Sequence, residues 1–384
     1  MINMKNRNET KDIYMLLEPN YLTPVWYEQT IIGLKNIAAK HKFNVNQIID
    51  INEIPKEVNV IVVIGTTKDW LSEAIDNCRK NELKVILTGA VPSKYGDDVS
   101  GTLYDAKSSI KELVQYFCAH GRQKLALIDI NPNSSNDVAK YEAFINIANE
   151  LNINVSTKDV YFRDSDSNNS TDLFLTRIDK YDGVLCGNDY SAAFLLSYAK
   201  KHGVKVPDDL FVAGLGDIVL CNYTEPTLTS ANRSYYEAGE QVFDIWKQLN
   251  QNPNIVSIIT TMKSTIIPRG STANLEVLES NGAPIKPKKN TVPRYSMEGT
   301  AELKAIEDCI ARCDDLDMKI IAELLLDKSN EAIASDLFIA PGTINYRLKK
   351  LYNSANVNNK SELLSLIKRH LSVDALTDYV QSNL

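Results

Sequence analysis

The sequence predicts an α/β protein with two lobes built around mostly parallel sheets, followed by a linker and a small all-helical domain. Two observations support this prediction. From residue 12 onward, short apolar runs rich in β-formers alternate with longer helical patterns, which is typical of βαβ units. The alternation begins again after Gly121, and residues 317–371 have helical spacing of Leu, Ile and Ala throughout. A chain of 384 residues is long enough for two or three such domains.

The first lobe begins with a strand predicted at the apolar run Asp12–Glu18. Helices are predicted at Val25–His41 and Lys68–Asn81. Thr66 and Thr67 precede the second helix, and their hydroxyls can cap its first turn. The remaining strands of this lobe are predicted at residues 43–49, 58–64 and 83–87.

The second lobe has the same pattern after Gly121. A helix at Tyr235–Leu249 and a β-rich stretch at Ser257–Ile267 come later and have no lobe of their own. We therefore expect the chain to return and complete both lobes, so that it crosses the hinge more than once. The strands of the second lobe are predicted at residues 124–130, 159–162, 183–186 and 210–214, and its helices at 136–151, 167–179 and 190–202.

A domain boundary is predicted between Ala273 and Thr300. The segment Gly282–Pro293 is rich in proline and lysine, which is typical of a stiff, exposed linker. The predicted organisation is a disordered N-terminal segment at 1–11, the two-lobed domain at 12–272, the linker at 273–300 and the helical domain at 301–384.

Composition and residue spacing argue against several classes of protein. The first eleven residues are polar and no run of about 18 apolar residues occurs, so we expect a cytoplasmic protein with no membrane contact. Cys309 and Cys313 have no His or further Cys near them, so no metal site or other cofactor is predicted. The four histidines are far apart, and neither a phosphate-binding Gly-rich loop nor a nucleophile elbow is present, so no enzyme is predicted.

The second half of the α/β region resembles the effector domain of the lactose/galactose-type repressors. The resemblance implies a periplasmic-binding-protein-like fold over residues 11–272, in which two lobes close on a small effector, a sugar or a related metabolite. It rests on motifs that follow one another in that family's order: Gly121-Arg-Gln-Lys-Leu-Ala-Leu-Ile128, Cys186-Gly-Asn-Asp189, Gly203-Val-Lys-Val-Pro-Asp-Asp-Leu210, Val212-Ala-Gly-Leu-Gly-Asp217, Pro226-Thr-Leu-Thr229 and Arg269-Gly-Ser-Thr272.

The resemblance also implies candidate effector-binding residues. Asn188 matches the family's effector-contacting Asn, with Asp189 beside it, although Asp189 has an alternative structural role as a helix cap. Lys140 stands where the family commonly has an effector-binding Arg. Gly216 stands where the first of two Asp residues is usual, which leaves Asp217 and removes one strong acceptor for sugar hydroxyls.

Aromatic residues after the first strand are further candidates for the effector site. Tyr21, Trp26 and Tyr27 follow the strand at the edge where open α/β sheets bind ligands, and an aromatic ring there can stack on a sugar or a base. The alternative is an aromatic side chain packed within its own lobe.

The C-terminal region resembles a helix-turn-helix domain of the LuxR type. The resemblance rests on Ser329-Asn-Glu-Ala-Ile-Ala-Ser-Asp-Leu-Phe-Ile-Ala-Pro-Gly-Thr-Ile-Asn-Tyr-Arg-Leu-Lys-Lys-Leu-Tyr352 and on Asn358-Asn-Lys-Ser-Glu-Leu-Leu364. Repressors of the first family carry their DNA-binding unit before the first strand, where only about eleven residues stand here, so we expect the DNA reader at this end instead.

A recognition helix is predicted from Gly342 to about Tyr352. Ile344, Leu348 and Leu351 fall on one stripe that would pack against a helix at residues 331–337. Arg347 is the best candidate for a base contact, since Arg can bind guanine with two hydrogen bonds. The other predicted DNA contacts are Thr343, Asn345, Tyr346, Lys349 and Lys350, although basic residues on a helix are often only a solvated face.

These expectations combine into a one-component transcription regulator that acts as a homodimer. The apolar face of residues 361–368 is predicted as core, with part of it forming a dimer contact as the resemblance suggests. The long linker favours control through dimer geometry over a rigid lever. The alternative is a solute-binding sensor whose helical domain contacts a protein partner instead of DNA.

Overall fold

The computed structural model describes residues 11–19, 25–163, 169–272 and 297–382. The chain divides into two compact units, each assembled from separate segments. Among the described residues, the first unit contains those within 11–108, 132–140 and 233–264, and the second contains those within 109–131, 141–232 and 265–382. Residues 1–10 of the predicted disordered segment and residues 273–296 of the predicted linker lie outside the described residues.

The first unit is built on a six-stranded, all-parallel sheet with the strand order β11-β5-β4-β3-β1-β2. The central strand β3 is buried along its whole length, and its alternate residues contribute to two apolar clusters. Strands buried on both faces are typical of parallel sheets. The strands are β1 Asp12–Leu17, β2 Asn44–Ile48, β3 Val60–Ile64, β4 Lys84–Thr88, β5 Ser100–Tyr104 and β11 Ile259–Met262.

Three helices of the first unit are α1 Val25–Lys40, α2 Lys68–Lys80 and α7 Tyr235–Gln251. Helices α1 and α7 pack so closely that glycine is required at their contact. A Cβ on Gly33 would lie 2.0 Å from the Tyr236 carbonyl oxygen, and one on Gly239 would lie 2.0 Å from that of Thr30. The two glycines therefore allow the two backbones to approach each other.

The second unit contains a six-stranded sheet with the order β12-β10-β9-β8-β6-β7. All neighbouring strands are parallel except β12, which pairs antiparallel with β10 at the edge. The strands are β6 Leu125–Ile130, β7 Val160–Phe162, β8 Gly183–Cys186, β9 Phe211–Gly216, β10 Thr229–Asn232 and β12 Thr265–Ile267.

Helices α3 Ala106–Ala119 and α4 Ser135–Glu150 begin in segments of the first unit and end in segments of the second. Helices α5 Asn169–Leu175 and α6 Asp189–His202 connect strands of the second unit. Six further helices follow and belong to the same unit. They are α8 Met297–Ile310, α9 Asp315–Leu325, α10 Asn330–Asp336, α11 Pro341–Ser354, α12 Lys360–His370 and α13 Val373–Ser382.

The late strands confirm that the chain returns to complete both lobes. Strand β11 pairs with β5 in the first sheet, and β12 pairs with β10 in the second. Four elements were not predicted individually from the sequence, namely strands β5 and β10 and helices α3 and α13. Within the described residues, no helix is long and apolar enough to cross a membrane.

Candidate ligand-binding and nucleic-acid-binding sites

The carboxyl edge of the second sheet gathers three of the seven predicted effector-binding residues. Strands β6, β8, β9 and β10 are parallel, so their carboxyl ends meet at one edge. Asn188 follows β8 and Asp217 follows β9 directly. Open α/β sheets bind ligands beyond this edge of their strands. The structure therefore brings Asn188 and Asp217 to an edge at which ligand binding is expected.

Asn188 is the N-cap of α6. Its side-chain oxygen accepts a hydrogen bond from the Ser191 backbone N–H at 3.0 Å, and its amide nitrogen donates to Asp129 at 2.8 Å. The cap is thus Asn188 and not Asp189, which was the alternative role considered for Asp189. Both ends of the Asn188 amide are engaged, so the orientation of this side chain is fixed before any ligand binds.

Asp189 lies inside the second unit with 2% of its surface exposed. One carboxylate oxygen accepts a hydrogen bond from the Ser230 hydroxyl at 2.5 Å, and the other accepts from the Ile218 backbone N–H at 3.2 Å. A carboxylate buried with such partners is held in one position, because leaving either oxygen unpaired would be costly. Asp189 therefore ties α6 to strand β10 and to the chain after β9.

Asp217 adopts a left-handed conformation with φ of 56°, directly after Gly216 with φ of 142°. A side chain at position 216 would be strained in this conformation. The carboxylate of Asp217 lies 2.7 Å from the Arg269 guanidinium and accepts a hydrogen bond from Asn232 at 2.9 Å. Arg269, from the predicted motif at 269–272, is thereby linked to a candidate effector residue.

Asp129 and Arg163 are candidate residues at this edge that the sequence analysis missed. Asp129 is 2% exposed and receives two hydrogen bonds from Arg163, at 2.8 and 2.7 Å. Ser191 and Asn188 donate to the same carboxylate. Burial alone would raise the pKa of Asp129, but these partners hold it below its usual value. The available signal was a charged residue near the end of an otherwise apolar strand.

The remaining predicted effector residues belong to the first unit. Tyr21 and the side chain of Trp26 lie outside the described residues. Tyr27 is 5% exposed and belongs to an apolar core cluster, and burial beside Glu18 raises its pKa to about 12. Its ring thus packs within its own lobe, the alternative considered for these aromatic residues. The Lys140 ammonium lies 2.6 Å from Asp137, with 7% of the side chain exposed, and forms a nearly buried ion pair.

Helix α11 has the arrangement predicted for a recognition helix. Ile344, Leu348 and Leu351 are buried, which confirms the predicted apolar stripe. Asn345, Tyr346, Lys349 and Lys350 are exposed, and Thr343 is half-buried. The surface that faces solvent therefore offers an amide, a phenol and two ammonium groups, which can bind base edges and phosphates.

Arg347 is engaged by acidic residues at the start of α9. Its guanidinium lies 2.7 Å from a carboxylate oxygen of Asp314, the N-cap of α9, and 2.7 Å from one of Asp317. Lys350 lies 2.8 Å from the other oxygen of Asp317, which is completely buried. The guanidinium also lowers the pKa of Asp314. These ion pairs tie the recognition helix to α9, and any DNA contact by Arg347 would compete with them.

The turn before α11 has two further features. The N-cap residue, Ala340, has no side-chain oxygen to bond the first amides of the helix, whereas Pro341 suits the first helical position. Phe338 adopts a φ of 53° and is 95% exposed. The first turn of the helix therefore receives no hydrogen bond from an N-cap side chain, although the Thr343 N–H donates to the Ala340 carbonyl oxygen at 2.9 Å.

Two family models match the chain, in the regions that the sequence motifs indicate. Residues 114–272 match the periplasmic binding protein-like domain, and residues 317–367 match the luxR family of bacterial regulatory proteins. These matches confirm the resemblance on which the sequence analysis relied. The chain combines a sensor domain of the first type with a C-terminal helix-turn-helix domain of the second.

Two similar proteins are named as an operon regulator and as a control protein. The NTD biosynthesis operon regulator NtdR of Bacillus subtilis is 24% identical over 179 residues, which are 46% of this chain and 54% of that protein. Catabolite control protein A of Staphylococcus epidermidis is 24% identical over 256 residues, 61% of this chain and 75% of that protein. The chain thus spans about half to three quarters of the length of these relatives. Their regulator names agree with the prediction that the chain is not an enzyme.

A solved structure with the same fold is the LacI family transcriptional regulator of Enterococcus faecium with bound ribose. It is 20% identical and covers 69% of this chain and 100% of its own, with a TM-score of 0.56. The likeness confirms the predicted α/β fold of the sensor. Together with the match of the helical region to the luxR family, these findings favour a DNA-binding regulator over a sensor that contacts a protein partner.

Proposed function

We propose that this protein is a cytoplasmic one-component transcription regulator, in which binding of a small effector by the sensor changes DNA binding by the C-terminal domain. The single observation that carries the proposal is helix α11, with a buried apolar stripe on one side and exposed polar side chains on the other. A helix of this kind suits the major groove. We propose a homodimer, since paired readers would bind two half-sites about one helical turn apart.

The proposed DNA contacts follow from the chemistry of the exposed residues on α11. Asn345 can bond adenine through its amide, and Lys349 can neutralise a phosphate. Tyr346, 73% exposed, and Thr343 offer hydroxyls to phosphate or base edges. Arg347 and Lys350 belong to the proposed set as residues that exchange their carboxylate partners for DNA.

The proposed effector is a polyhydroxylated molecule, a sugar or a related metabolite. Carboxylate and amide groups at the edge of the second sheet suit hydroxyl groups, because ionised Asp accepts hydrogen bonds and the Asn amide both donates and accepts. The ribose bound by the similar Enterococcus faecium regulator supports the same class. We place Asn188, Asp189 and Asp217 in this site, and we keep Lys140, Tyr21 and Trp26 as candidates that rest on the sequence alone.

A mobility-shift titration with duplex DNA at several salt concentrations tests the proposed DNA reader. Affinity should fall steeply with salt, and Lys349→Ala should reduce the slope of log K against log salt by about 1, the value for one phosphate contact. Asn345→Ala should weaken binding to a selected site more than binding to random duplex. Lys94→Ala, an exposed lysine in the sensor, is the matched control. DNA binding unaffected by both α11 substitutions would contradict the assignment.

These two positions are better test sites than Arg347 and Lys350. Replacing either of the latter by Ala also removes a partner of the buried Asp317 carboxylate, so lost binding could reflect lost structure.

A thermal-shift screen against pentoses, hexoses, their phosphates and nucleosides tests the effector, since a ligand that binds the folded state raises Tm. A hit that also changes DNA affinity would support the proposal, whereas stabilisation only by compounds without hydroxyl groups would contradict the effector class.

A further inference from the structure

Glu307 of helix α8 makes a buried contact with the sensor part of the second unit. Its side chain is fully buried, with 0% exposure. One carboxylate oxygen accepts a hydrogen bond from the Val219 backbone N–H at 2.9 Å, and the other accepts from the Leu220 N–H at 2.6 Å. These amides begin the 3-10 turn Val219–Asn222 that follows β9. Glu307 therefore caps a turn of the sensor from a helix of the C-terminal region.

A second hydrogen bond joins the same two regions. The Ser372 backbone N–H, between α12 and α13, donates to the Tyr223 carbonyl oxygen at 2.7 Å. Helix α8 also packs against α6 of the sensor. We call the Glu307 bonds and the Ser372–Tyr223 bond together the Glu307 clasp.

Helix α8 is also part of the helix-turn-helix region. It packs against α11 and α12, and the Cys309 thiol lies 3.7 Å from the Leu351 carbonyl oxygen of the recognition helix. Glu302 forms an ion pair with Arg369 and a hydrogen bond with His370 at the end of α12. A displacement of α8 would therefore displace the recognition helix as well.

The turn held by Glu307 begins two residues after Asp217, a proposed effector residue. Between them, the Ile218 N–H donates to Asp189, which also binds Ser230 of β10. A short chain of bonded groups thus leads from the carboxyl edge of the sheet to α8. A change in backbone position at Asp217 reaches Glu307 through two residues.

We propose that the Glu307 clasp holds the DNA-binding domain in a fixed orientation on the second lobe and transmits changes at residues 217–220 to the recognition helix. This inference rests on the proposed function, because it assigns the regulation of that same reader. It replaces control through a long linker by a direct contact. The exposed residues of α11 stay exposed while the clasp is closed, so the clasp orients the reader and does not cover it.

The energetic basis is the burial of the carboxylate with its two donors. A buried carboxylate without partners is costly, and two amides at the start of a turn need an acceptor. The Glu307 carboxylate therefore needs the two amides as donors, and the two amides need the carboxylate as their acceptor. Separation of the helical domain from the lobe would leave the carboxylate and both amides to be solvated by water.

Hydrogen exchange of the full-length protein tests the docking directly. The reporter is the Ser372 amide, which bonds to the sensor but lies 65 residues from Glu307 along the chain. Glu307→Ala and Glu307→Gln should raise exchange at Ser372 by about tenfold or more, while the amides within α11 keep their protection. Asp308→Asn is the matched control on the same helix and should leave exchange at Ser372 unchanged. Faster exchange confined to Val219 and Leu220 would overturn the proposal.

A second variant covers the case in which substitutions at Glu307 prevent folding. Val219→Pro removes one donor to the carboxylate and retains Glu307, at a position where the preceding Ile218 already has the extended backbone that proline requires. It should also raise exchange at Ser372. Wild-type protection there in a folded Val219→Pro protein would count against the clasp.

Coupling is tested by adding a random-sequence duplex of about 30 base pairs at low salt. If the clasp transmits structural changes between the sensor and α11, saturating DNA should change amide hydrogen exchange at residues 217–222 in the wild type. It should not do so in Glu307→Gln, because linkage between two sites is reciprocal. Exchange at 217–222 that does not respond to bound DNA would overturn transmission. Failure of the duplex to bind at all would refute the proposed function and with it transmission, whereas the docking result at Ser372 is read without DNA.

Discussion

Substitution of Glu307 by Gln should change how the stability of the protein depends on pH. Burial raises the pKa of the Glu307 carboxyl from 4.5 to about 7, and the negative charges of Asp189 and Asp308 act in the same direction. The amides of Val219 and Leu220 lower the pKa but do not outweigh burial. Tyr190 and Cys221 also face this region, and their own pKa values are raised by burial, so neither titrates near neutral pH.

The sign follows from linkage. Because the pKa of Glu307 is higher in the folded than in the unfolded protein, the folded state binds the proton more tightly. The stabilisation from this group is fully present below pH 4.5 and is lost as the pH rises through 7. At about 1.36 kcal/mol per pH unit, wild type should lose about 2 kcal/mol between pH 5 and 7.5 relative to a variant that does not titrate.

Urea unfolding of wild type and Glu307→Gln at pH 5, 6, 7 and 7.5 measures this loss. The difference in unfolding free energy between the two proteins should move in favour of Gln as the pH rises, because other titrating groups cancel in the difference. Lys304→Gln, on the same helix, serves as the control and should show no such trend. A difference that stays constant over this range would mean that Glu307 titrates at its ordinary pKa, and the reasoning from burial would be refuted.

Three further predictions concern the helix-turn-helix and the sheet edge. Ala340→Ser should stabilise the protein by about 1 kcal/mol by supplying the missing N-cap oxygen, and an unchanged Tm would contradict this. Asp317→Asn should cost about 2 kcal/mol of stability yet raise affinity for duplex DNA at low salt, since Lys350 loses its carboxylate partner and Arg347 keeps only Asp314. A mobility shift like that of wild type would argue that these two residues do not exchange their carboxylates for DNA. Asp129→Asn should lower stability by about 2 kcal/mol through loss of the bond to Arg163, measured by thermal unfolding, and an equal Tm would show that the pair contributes little.

Local patterns predicted many of the regular elements, because the buried positions of a helix or a strand recur at a fixed spacing and are occupied by apolar residues. The stripe of Ile344, Leu348 and Leu351 is an example, and so is the fully apolar strand β3. Strand β5 was missed because Ser-Gly-Thr-Leu-Tyr has little apolar character, although it is bordered by strands on both sides in the sheet. Its strand conformation depends on its neighbours more than on its own side chains.

Contacts between distant residues could not be predicted from the sequence. Arg347 was the foremost candidate for a base contact, and no local pattern indicates that Asp314, 33 residues earlier, binds it. The contacts of the buried Glu307 could not be predicted for the same reason, since its partners lie 88 and 87 residues away along the chain. The long predicted linker favoured control through dimer geometry over a rigid lever, whereas the structure packs α8 directly on α6 of the sensor.

The edge strands β11 and β12 also bear on the order in which the protein can fold during synthesis. Both sheets lack an edge strand until residues 259–267 have left the ribosome, although most of each sheet is made much earlier. The two sheets therefore become complete within a few residues of each other. The helical region emerges afterwards, onto a lobe whose sheet is already closed, so the surface that receives Glu307 exists before Glu307 reaches it.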